Sequence, residues 1–204
     1  MHIRDQILNA ALPQIVFDGW SEGVLSRAAL AAGLGPLAAK RAFPKPIDAI
    51  DYSSARADAE MIETLRRDYS LPTMKIRERI ATAVMVRFRQ QAAHREAVRR
   101  ALGVYALPWN TPRAVAALYA TVDAIWREAG DTSTDYNFYT KRLLLSQVYT
   151  TTLRVWLDDH SPDLADTEAF LRRRIEDVMT IEKLKARARD GLGKVEHWLP
   201  KRWA

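Results

Sequence analysis

The stretch that decides the fold is residues 19–50, which read GWSEGVLSRAALAAGLGPLAAKRAFPKPIDAI. Two short runs with helical spacing, 23–32 and 36–43, are separated by Gly33-Leu34-Gly35, where the glycines permit a tight turn. Pro46 then suits the first turn of a longer helix, because an amide hydrogen has no partner within the helix at that position. The stretch therefore predicts two short helices joined by a tight turn and followed by a long one.

The rest of the chain has helical spacing too. An upstream helix is predicted from Ile3, after which apolar residues repeat along one face, to Gly19, which supplies a stop. No run shows the strict alternation of a half-buried strand. Further helices are predicted at 74–92, 94–106, 112–129, 137–159, 163–180 and 182–199. We therefore predict an all-α fold.

The charges are unevenly distributed along the chain. The 204 residues carry 31 Lys and Arg against 25 Asp and Glu, a net charge of +6. Residues 182–204 hold 7 Lys and Arg and 3 Asp and Glu, so +4 of the excess lies in the tail. The basic balance therefore says little about nucleic-acid binding by the body of the chain. The predicted division is a helix-turn-helix-like module at 1–45, a helical ligand-binding domain at 46–181 and a basic amphipathic helix at 182–204.

Several kinds of chemistry lack their residues in this sequence. Without cysteine the chain has no disulfide, no Cys-ligated zinc and no thiol nucleophile. The four histidines are scattered, with no pair at metal-ligand spacing, and no glycine-rich phosphate loop occurs. We therefore predict no catalytic residue, no metal and no cofactor. The start, MHIRDQILNAAL, has no signal-peptide or transit-peptide character, which predicts a protein that stays where it is made.

The helix order at the N-terminus resembles that of TetR-type transcription regulators. In such a unit the second short helix enters the major groove and presents polar and basic side chains. Here that helix reads PLAAKRAF, so only Lys40 and Arg41 could read DNA, because alanine methyl groups do not discriminate base edges by hydrogen bonds. The resemblance implies a TetR-like fold whose DNA readout is mostly lost. A TetR-type regulator that binds DNA and a hydrophobic ligand is the alternative function.

A second informative segment is residues 107–142, LPWNTPRAVAALYATVDAIWREAGDTSTDYNFYTKR. Its helical part carries one broad apolar stripe, which a buried core helix alone explains. The connecting loop 130–139 adds three aromatic residues within four positions, beside polar residues. Because aromatic side chains dominate the energetics of interfaces, this loop predicts a surface that holds a partner.

The longer pattern resembles the C-terminal domain of the Coq-nine family. The chain carries LPxNxP, VDxxWxxAGDxSTDxNxYT(K/R)R, YxTT and TxxFLxxRIxD, between Leu107 and Met179. The resemblance implies a TetR-like fold without known enzymatic activity, a cavity for an isoprenoid lipid or quinone intermediate, and support of the di-iron hydroxylase that acts on demethoxyubiquinone. Mitochondrial members carry a presequence that is missing here, which predicts a bacterial protein, cytoplasmic and peripherally associated with the inner membrane.

Two sets of site residues accompany this resemblance. The family's partner patch, carried over by position, falls on Asp123, Trp126, Asp135, Asn137, Phe138 and Tyr139. The large apolar and aromatic residues that could line a lipid cavity are Leu107, Trp109, Leu118, Val122, Leu144, Val148, Tyr149 and Trp156. A solid core is the open alternative, because the sequence does not distinguish a packed interior from one with a slot.

The tail predicts contact with a membrane. Apolar residues recur from Ile181 to Leu199 at steps of three and four, with basic residues between them, which describes a basic amphipathic helix. The residues predicted to touch the membrane are Leu192, Val195, Trp198, Leu199 and Trp203. A helix folded back on the body, or used in a dimer contact, is the alternative.

Together these features predict an accessory protein of ubiquinone biosynthesis. It is expected to bind a polyprenyl quinone intermediate at the membrane and to present it to the di-iron hydroxylase, without chemistry of its own. A scaffold that needs no lipid is a third possibility. DNA is not expected among the partners, and a homodimer is implied only by related folds.

Overall fold

The computed structural model describes residues 2–132 and 136–196, with the backbone alone at 136, 137 and beyond 180. Helices account for most of these residues, and no strand occurs among them. The helices are Ile3–Asp18 (α1), Glu22–Ala31 (α2), Ala38–Ala42 (α3), Pro46–Asp68 (α4), Ile76–Gln90 (α5), Arg95–Tyr105 (α6), Thr111–Glu128 (α7), Tyr136–Asp158 (α8) and Ala165–Glu196 (α9). The all-α prediction is confirmed.

The first three helices pack as a small module ahead of α4. Gly19, at φ 70°, ends α1, and the Ser21 hydroxyl caps α2 by accepting an amide hydrogen of its first turn at 3.3 Å. Gly33, at φ 72°, lets the Leu34 amide donate back to the carbonyl of Ala29. The apolar centre of this module, here the N-terminal core, consists of Ile7, Leu8, Ala11, Leu12, Ile15, Val24, Leu25, Ala28, Ala29, Ala39, Ala42, Phe43, Ala49 and Ala97.

A larger core, here the main core, lies between α4, α5, α7, α8 and α9. Trp156 of α8 is fully buried and stacks on Phe88 of α5, with ring centroids 5.2 Å apart. Such stacking adds to the free energy gained by burying the two rings. Other fully buried members of the main core are Met61, Leu65, Met85, Ile125 and Leu171.

Two helices contribute to both halves of the molecule. α4 gives Ala49 to the N-terminal core and Met61 to the main core. α6 gives Ala97 to the N-terminal core and packs Val98 against the main core. The indole of Trp20 also donates to the Ala97 carbonyl at 2.9 Å. Because α4 and α6 hold the two cores together, they also fix the space left at the junction.

The end of the chain differs from the sequence prediction. The sequence predicts helices at 163–180 and 182–199, whereas α9 runs as one helix from Ala165, because no strong breaker separates the two segments. Residues Pro162–Leu164 form a separate 3-10 turn ahead of α9, in which Asp163 has φ 52°. None of the helices in the described part of the chain is long and apolar enough to cross a membrane. The predicted domain boundaries stay a prediction.

Candidate ligand cavity and partner surface

A cavity of about 230 Å³, here the inner cavity, lies at the junction of the two cores between α4, α5, α6, α7 and α8. Its space is left by small apolar side chains from three of these helices: Ala57, Ala97, Ala101, Ala114 and Ala117. The exposed residues Leu102 and Thr150 stand at its edge, so the cavity reaches the surface.

One wall of the inner cavity carries a buried polar network centred on Arg87. Its Nε donates to Asp58 Oδ1 at 2.7 Å, and its Nη1 donates to the Tyr149 hydroxyl at 2.8 Å. The Thr121 hydroxyl lies 3.0 Å from both carboxylate oxygens of Asp58. A buried charge is tolerated when an opposite charge and hydrogen bonds compensate its lost hydration, and both charges of this pair are compensated.

The titratable groups facing the inner cavity are held neutral unless they are paired. Burial raises the pKa of Tyr149 to about 12, although the neighbouring Arg87 opposes the shift. Burial also raises the pKa of Tyr105 far above its usual range, and the hydrogen bond to Asp51 at 2.6 Å adds to the effect. The pKa of His94 is lowered, mainly by burial. At neutral pH the cavity therefore presents a paired Arg–Asp and otherwise uncharged side chains.

A wider groove of about 610 Å³, here the outer groove, lies between the start of α5, the end of α7, and α8 and α9. This volume is within the ~300–1,000 Å³ range of sites for small organic ligands. Most of its lining is apolar, namely Ile76, Ile80, Trp126, Leu144, Leu145, Val148, Ile175, Val178 and Met179. The remaining lining residues include Asp131 and Lys141, at the end of the groove nearest the α7–α8 turn.

Four of the eight residues predicted to line a lipid cavity do line a space, but not the same one. Leu118 and Tyr149 belong to the inner cavity. Leu144 and Val148 belong to the outer groove. The predicted set is therefore divided between two spaces that lie on different sides of α8.

The other four predicted lining residues line neither space. Val122 and Trp156 are fully buried within the main core. Leu107 and Trp109 lie at the turn before α7, and Trp109 is 73% exposed. Large apolar and aromatic residues thus occur in the packed core and on the surface as well as in cavity walls, so residue type alone does not identify a lining residue.

Beside the outer groove, Arg142 of α8 connects the end of α7 with the start of α8. Its Nε donates to Asp123 at 2.7 Å, and its Nη1 donates to Asp131 at 3.0 Å and to the Phe138 carbonyl at 3.1 Å. The guanidinium carbon is 3.4 Å from the centroid of the Phe138 ring, a cation–π contact. We call this arrangement the Arg142 clamp.

The Arg142 clamp is charged and buried. The Arg142 side chain is only 3% exposed. Burial by itself lowers the pKa of Arg142, but the hydrogen bonds to Asp123 and Asp131 outweigh it and raise the pKa above its ordinary value. The guanidinium therefore keeps its charge and its hold on both carboxylates.

Two residues of the predicted partner patch have internal partners. Asp123 is engaged by Arg142 and also by Arg127, whose Nε lies 2.7 Å from its other oxygen. The indole of Trp126 donates to the Lys141 carbonyl at 3.1 Å. These contacts connect the end of α7 with the start of α8, so Asp123 and Trp126 support the predicted patch from beneath.

The exposed part of the patch lies on the first turns of α8. Tyr139 is 67% exposed, and Leu143, four residues later on the same helix face, is 63% exposed. The ring of Phe138 packs edge-on against Tyr139, with centroids 5.2 Å apart. We call Phe138, Tyr139 and Leu143 the docking surface. Leu143 was not predicted from the sequence, although its position four residues after Tyr139 indicates that the two residues share one face of the helix.

Some predicted residues fall outside what the structure describes. Asp135 lies outside the described residues, and Asn137 is described by its backbone only. Of the predicted membrane contacts, Trp198, Leu199 and Trp203 lie outside the described residues, and Leu192 and Val195 are described only as part of the α9 backbone.

The remaining sequence features lie apart from both spaces. Lys40 and Arg41 are exposed on α3, a helix of five residues. Within residues 2–132 and 136–196, no cluster of three or more His, Asp or Glu side chains is arranged to hold a metal ion.

Sequence reasoning missed the buried pair Arg87–Asp58, although two signals point to it. Arg87 interrupts the apolar run Ala83–Phe88, and a lone charge on a buried segment needs a partner. Asp58 precedes Met61 and Leu65 at steps of three and four, which places it on the buried face of α4.

Comparison with known proteins agrees with the fold and the sequence pattern. Residues 111–182 match the family model COQ9. The crystal structure of the TetR transcriptional regulator from Nitrosomonas europaea ATCC 19718 superposes with a TM-score of 0.70, covering 85% of this chain and 95% of that one. At 22% identity this likeness shows the fold alone, and it confirms the TetR-like prediction.

Curated relatives extend the match over most of the chain. Ubiquinone biosynthesis protein COQ9-A, mitochondrial, from Xenopus laevis is 34% identical over 185 residues, which is 88% of this chain and 58% of the relative. Ubiquinone biosynthesis protein COQ9, mitochondrial, from Homo sapiens is 32% identical with the same coverage of both chains. The chain thus spans a little under three fifths of the length of these relatives.

These relatives overturn one prediction from the sequence. The named relatives, including one from Drosophila melanogaster, are mitochondrial proteins of eukaryotes, so the expectation of a cytoplasmic protein at a bacterial inner membrane is wrong. The error came from interpreting the start of the sequence as the absence of a presequence. The family model over residues 111–182 and the curated relatives agree with each other, and the chain is similar to COQ9 proteins over most of its length.

Proposed function

We propose that this protein takes part in ubiquinone biosynthesis as a lipid-binding accessory protein without catalytic chemistry. In this proposal residues 46–181 bind a polyprenyl quinone intermediate and present it to a di-iron hydroxylase. The names of the curated relatives support the pathway, since each is a ubiquinone biosynthesis protein. The unfilled apolar space in the second half of the chain supports the lipid.

The observation that carries the proposal is the outer groove. An isoprenoid chain gains roughly 25 cal/mol for each Å² of apolar surface that it removes from water. The groove offers such a surface along α8 and α9 over a volume of about 610 Å³. Trp126 and Lys141 line its end and also support the docking surface through the contacts described above. A lipid in the groove would therefore end beside the surface that meets a partner.

The docking surface is proposed to bind the hydroxylase. Tyr139 and Leu143 are large, exposed and adjacent on one helix face, and aromatic and apolar anchors of this kind contribute most of the binding energy in protein interfaces. The Arg142 clamp holds the first turn of α8 that carries them. A rigid surface loses less conformational entropy when it binds.

Two neighbouring leucines allow lipid binding and partner binding to be tested separately. We expect Leu144→Arg, in the outer groove, to remove the polyprenyl lipid that mass spectrometry detects in extracts of the purified protein. Leu143→Arg, on the docking surface, should keep the lipid and lose the hydroxylase in a pull-down. Both variants add the same charge at adjacent positions, so each is the control for the other.

The proposal fails if the unaltered protein repeatedly yields no polyprenyl lipid. A scaffold that needs no lipid would show a different result, in which Leu144→Arg loses the lipid while hydroxylase activity stays at the level supported by the unaltered protein.

Membrane approach is proposed for the tail, residues 182–204, because its basic amphipathic pattern suits an anionic membrane surface.

A further inference from the structure

We propose that the inner cavity is a second ligand site, which takes a small neutral ring bearing a carbonyl group and recognises that carbonyl through the hydroxyl of Tyr149. This inference rests on the proposed function only in naming a quinone-type head group as the natural example. It concerns a space different from the outer groove, and it is argued from the size, the hydrogen bonding and the charge of that space.

The size of the inner cavity selects a ring over a chain. Its volume of about 230 Å³ is below the ~300–1,000 Å³ of sites that enclose drug-sized ligands. The alanines on α4, α6 and α7 leave this space near the middle of the helix bundle, and Leu118 and Leu153 add apolar contacts. A polyprenyl chain is too long for it, whereas a substituted six-membered ring fits.

The Tyr149 hydroxyl has a hydrogen left to donate. Its oxygen accepts a hydrogen bond from Arg87 Nη1 at 2.8 Å, so the hydroxyl acts as an acceptor in that contact. No acceptor for its own proton occurs among the contacts of the described residues. Tyr105, the other tyrosine of the cavity, already donates its proton to Asp51 at 2.6 Å. A carbonyl oxygen in the cavity would therefore find its donor at Tyr149.

The charges around the cavity favour a neutral ligand. Arg87 is paired with Asp58 at 2.7 Å, and the Thr121 hydroxyl also donates to that carboxylate. Asp51 is paired with Arg113 at 2.8 Å. The charges facing the cavity thus cancel in pairs, so a carboxylate ligand would be buried without a counter-charge, which is costly.

Three probes of similar size separate the contributions of the ring contacts, the carbonyl hydrogen bond and the ligand charge to binding. Duroquinone is a tetramethylated ring with two carbonyls, durene is the same methylated ring without oxygen, and mesitoate is a methylated ring with a carboxylate. In calorimetric titration of the full chain we expect duroquinone to bind about tenfold more tightly than either of the others, because one good hydrogen bond corresponds to about that factor. Equal affinities for duroquinone and durene would overturn the inference without any variant.

Two conservative variants test the donor. Tyr149→Phe keeps the ring contact with Phe88, whose centroid is 5.4 Å away, and should weaken duroquinone binding about tenfold while leaving durene unaffected. Tyr105→Phe removes a hydroxyl from the same cavity and should change neither affinity by more than about twofold. Equal losses in the two variants would contradict the assignment to Tyr149.

Filling the cavity tests the location. Ala117→Leu, with folding verified by its thermal unfolding, should abolish binding of duroquinone and durene, and persistent binding would place the probe elsewhere and refute the inference. The outcome is independent of the lipid extraction. If the protein yields polyprenyl lipid but binds the three probes equally, this inference alone is refuted. If it binds duroquinone selectively but yields no polyprenyl lipid, the proposed function alone is refuted.

Discussion

Arg142 shows how one side chain can stabilise a functional surface without belonging to it. Its guanidinium is the shared partner of Asp123 and Asp131, which lie at the end of α7 and just beyond it. We expect Arg142→Met to lower the free energy of unfolding by about 3 kcal/mol, because it removes a buried cation from two nearly buried carboxylates. Urea unfolding at pH 7 measures the change.

The matched control for Arg142→Met is Arg174→Met on α9. Arg174 also pairs with a carboxylate, Asp177, at 2.7 Å, but both side chains are exposed. Exposed pairs of this kind contribute little, so this variant should unfold at the same urea concentration as the unaltered protein. Equal destabilisation by the two substitutions would show that the burial of Arg142 is unimportant.

Asp159 gives the stability a defined dependence on pH. Burial by itself raises the pKa of Asp159, but hydrogen bonds from Ser161 and Thr167 outweigh it and lower the pKa to about 2. Since the unfolded-state pKa is ~3.9, this stabilisation is present above about pH 4 and is lost as the pH falls towards 2. We expect Asp159→Asn to cost about 2 kcal/mol at pH 7.

The difference between Asp159→Asn and the unaltered protein should stay constant from pH 7 to about pH 4 and shrink below it. The control is Asp158→Asn, one residue earlier, whose carboxylate is exposed and pairs with Arg99 at 2.8 Å. That variant should show no such dependence. A stability loss in Asp159→Asn that is the same at pH 3 and at pH 7 would contradict the assignment.

At the scale of elements, the turn after α7 depends on one glycine. Gly130 has φ 91°, and a Cβ there would lie 3.0 Å from Nη1 of Arg79, which donates to the Ala129 carbonyl. We expect Gly130→Ala to destabilise the protein by about 1–2 kcal/mol, because both the backbone and the Arg79 contact are strained. Thermal unfolding measures the effect.

Gly103 provides a control of opposite sign. It lies within α6, and a Cβ added there meets no atom within 4 Å. Gly103→Ala should therefore stabilise the protein by roughly 0.5–1 kcal/mol, since alanine has the higher helix propensity. If both substitutions shifted the unfolding in the same direction, the special role of Gly130 would be wrong.

The elements were the most predictable part of this molecule. The spacing of apolar residues and the glycines of residues 19–50 are local signals. α2 is shifted by one residue from its predicted run, and α3 lies within its own. The end of the chain was harder because the start of α9 depends on Asp159, which receives hydrogen bonds from Thr167 eight residues away. A sequence window contains no direct signal for such a contact.

At the scale of the whole molecule, the two spaces were less predictable than the helices. Leu118 and Val122 lie one turn apart on α7, yet Leu118 lines the inner cavity and Val122 is fully buried in the main core. The difference depends on which side chains α4, α6 and α8 bring opposite them. Volume at a junction of five helices is set by long-range packing, which periodicity along one helix does not report.

The whole molecule must also reach a membrane if it is to exchange a polyprenyl lipid. The tail carries a net charge of +4, from 7 Lys and Arg and 3 Asp and Glu, and each basic residue near an anionic surface contributes about 1 kcal/mol. We expect the full chain to co-sediment with phosphatidylglycerol vesicles at low salt, and to be released at 1 M salt, where the Debye length is about 3 Å.

A pair of double substitutions decides whether the tail is responsible for this binding. Lys201→Glu with Arg202→Glu should weaken binding to phosphatidylglycerol vesicles at least thirtyfold, since reversing two charges removes about 2 kcal/mol or more of attraction. Lys40→Glu with Arg41→Glu makes the same change in net charge on α3 and should leave the binding unchanged. If both pairs weaken the binding equally, the overall charge of the protein attracts it to the membrane, and the tail has no special part.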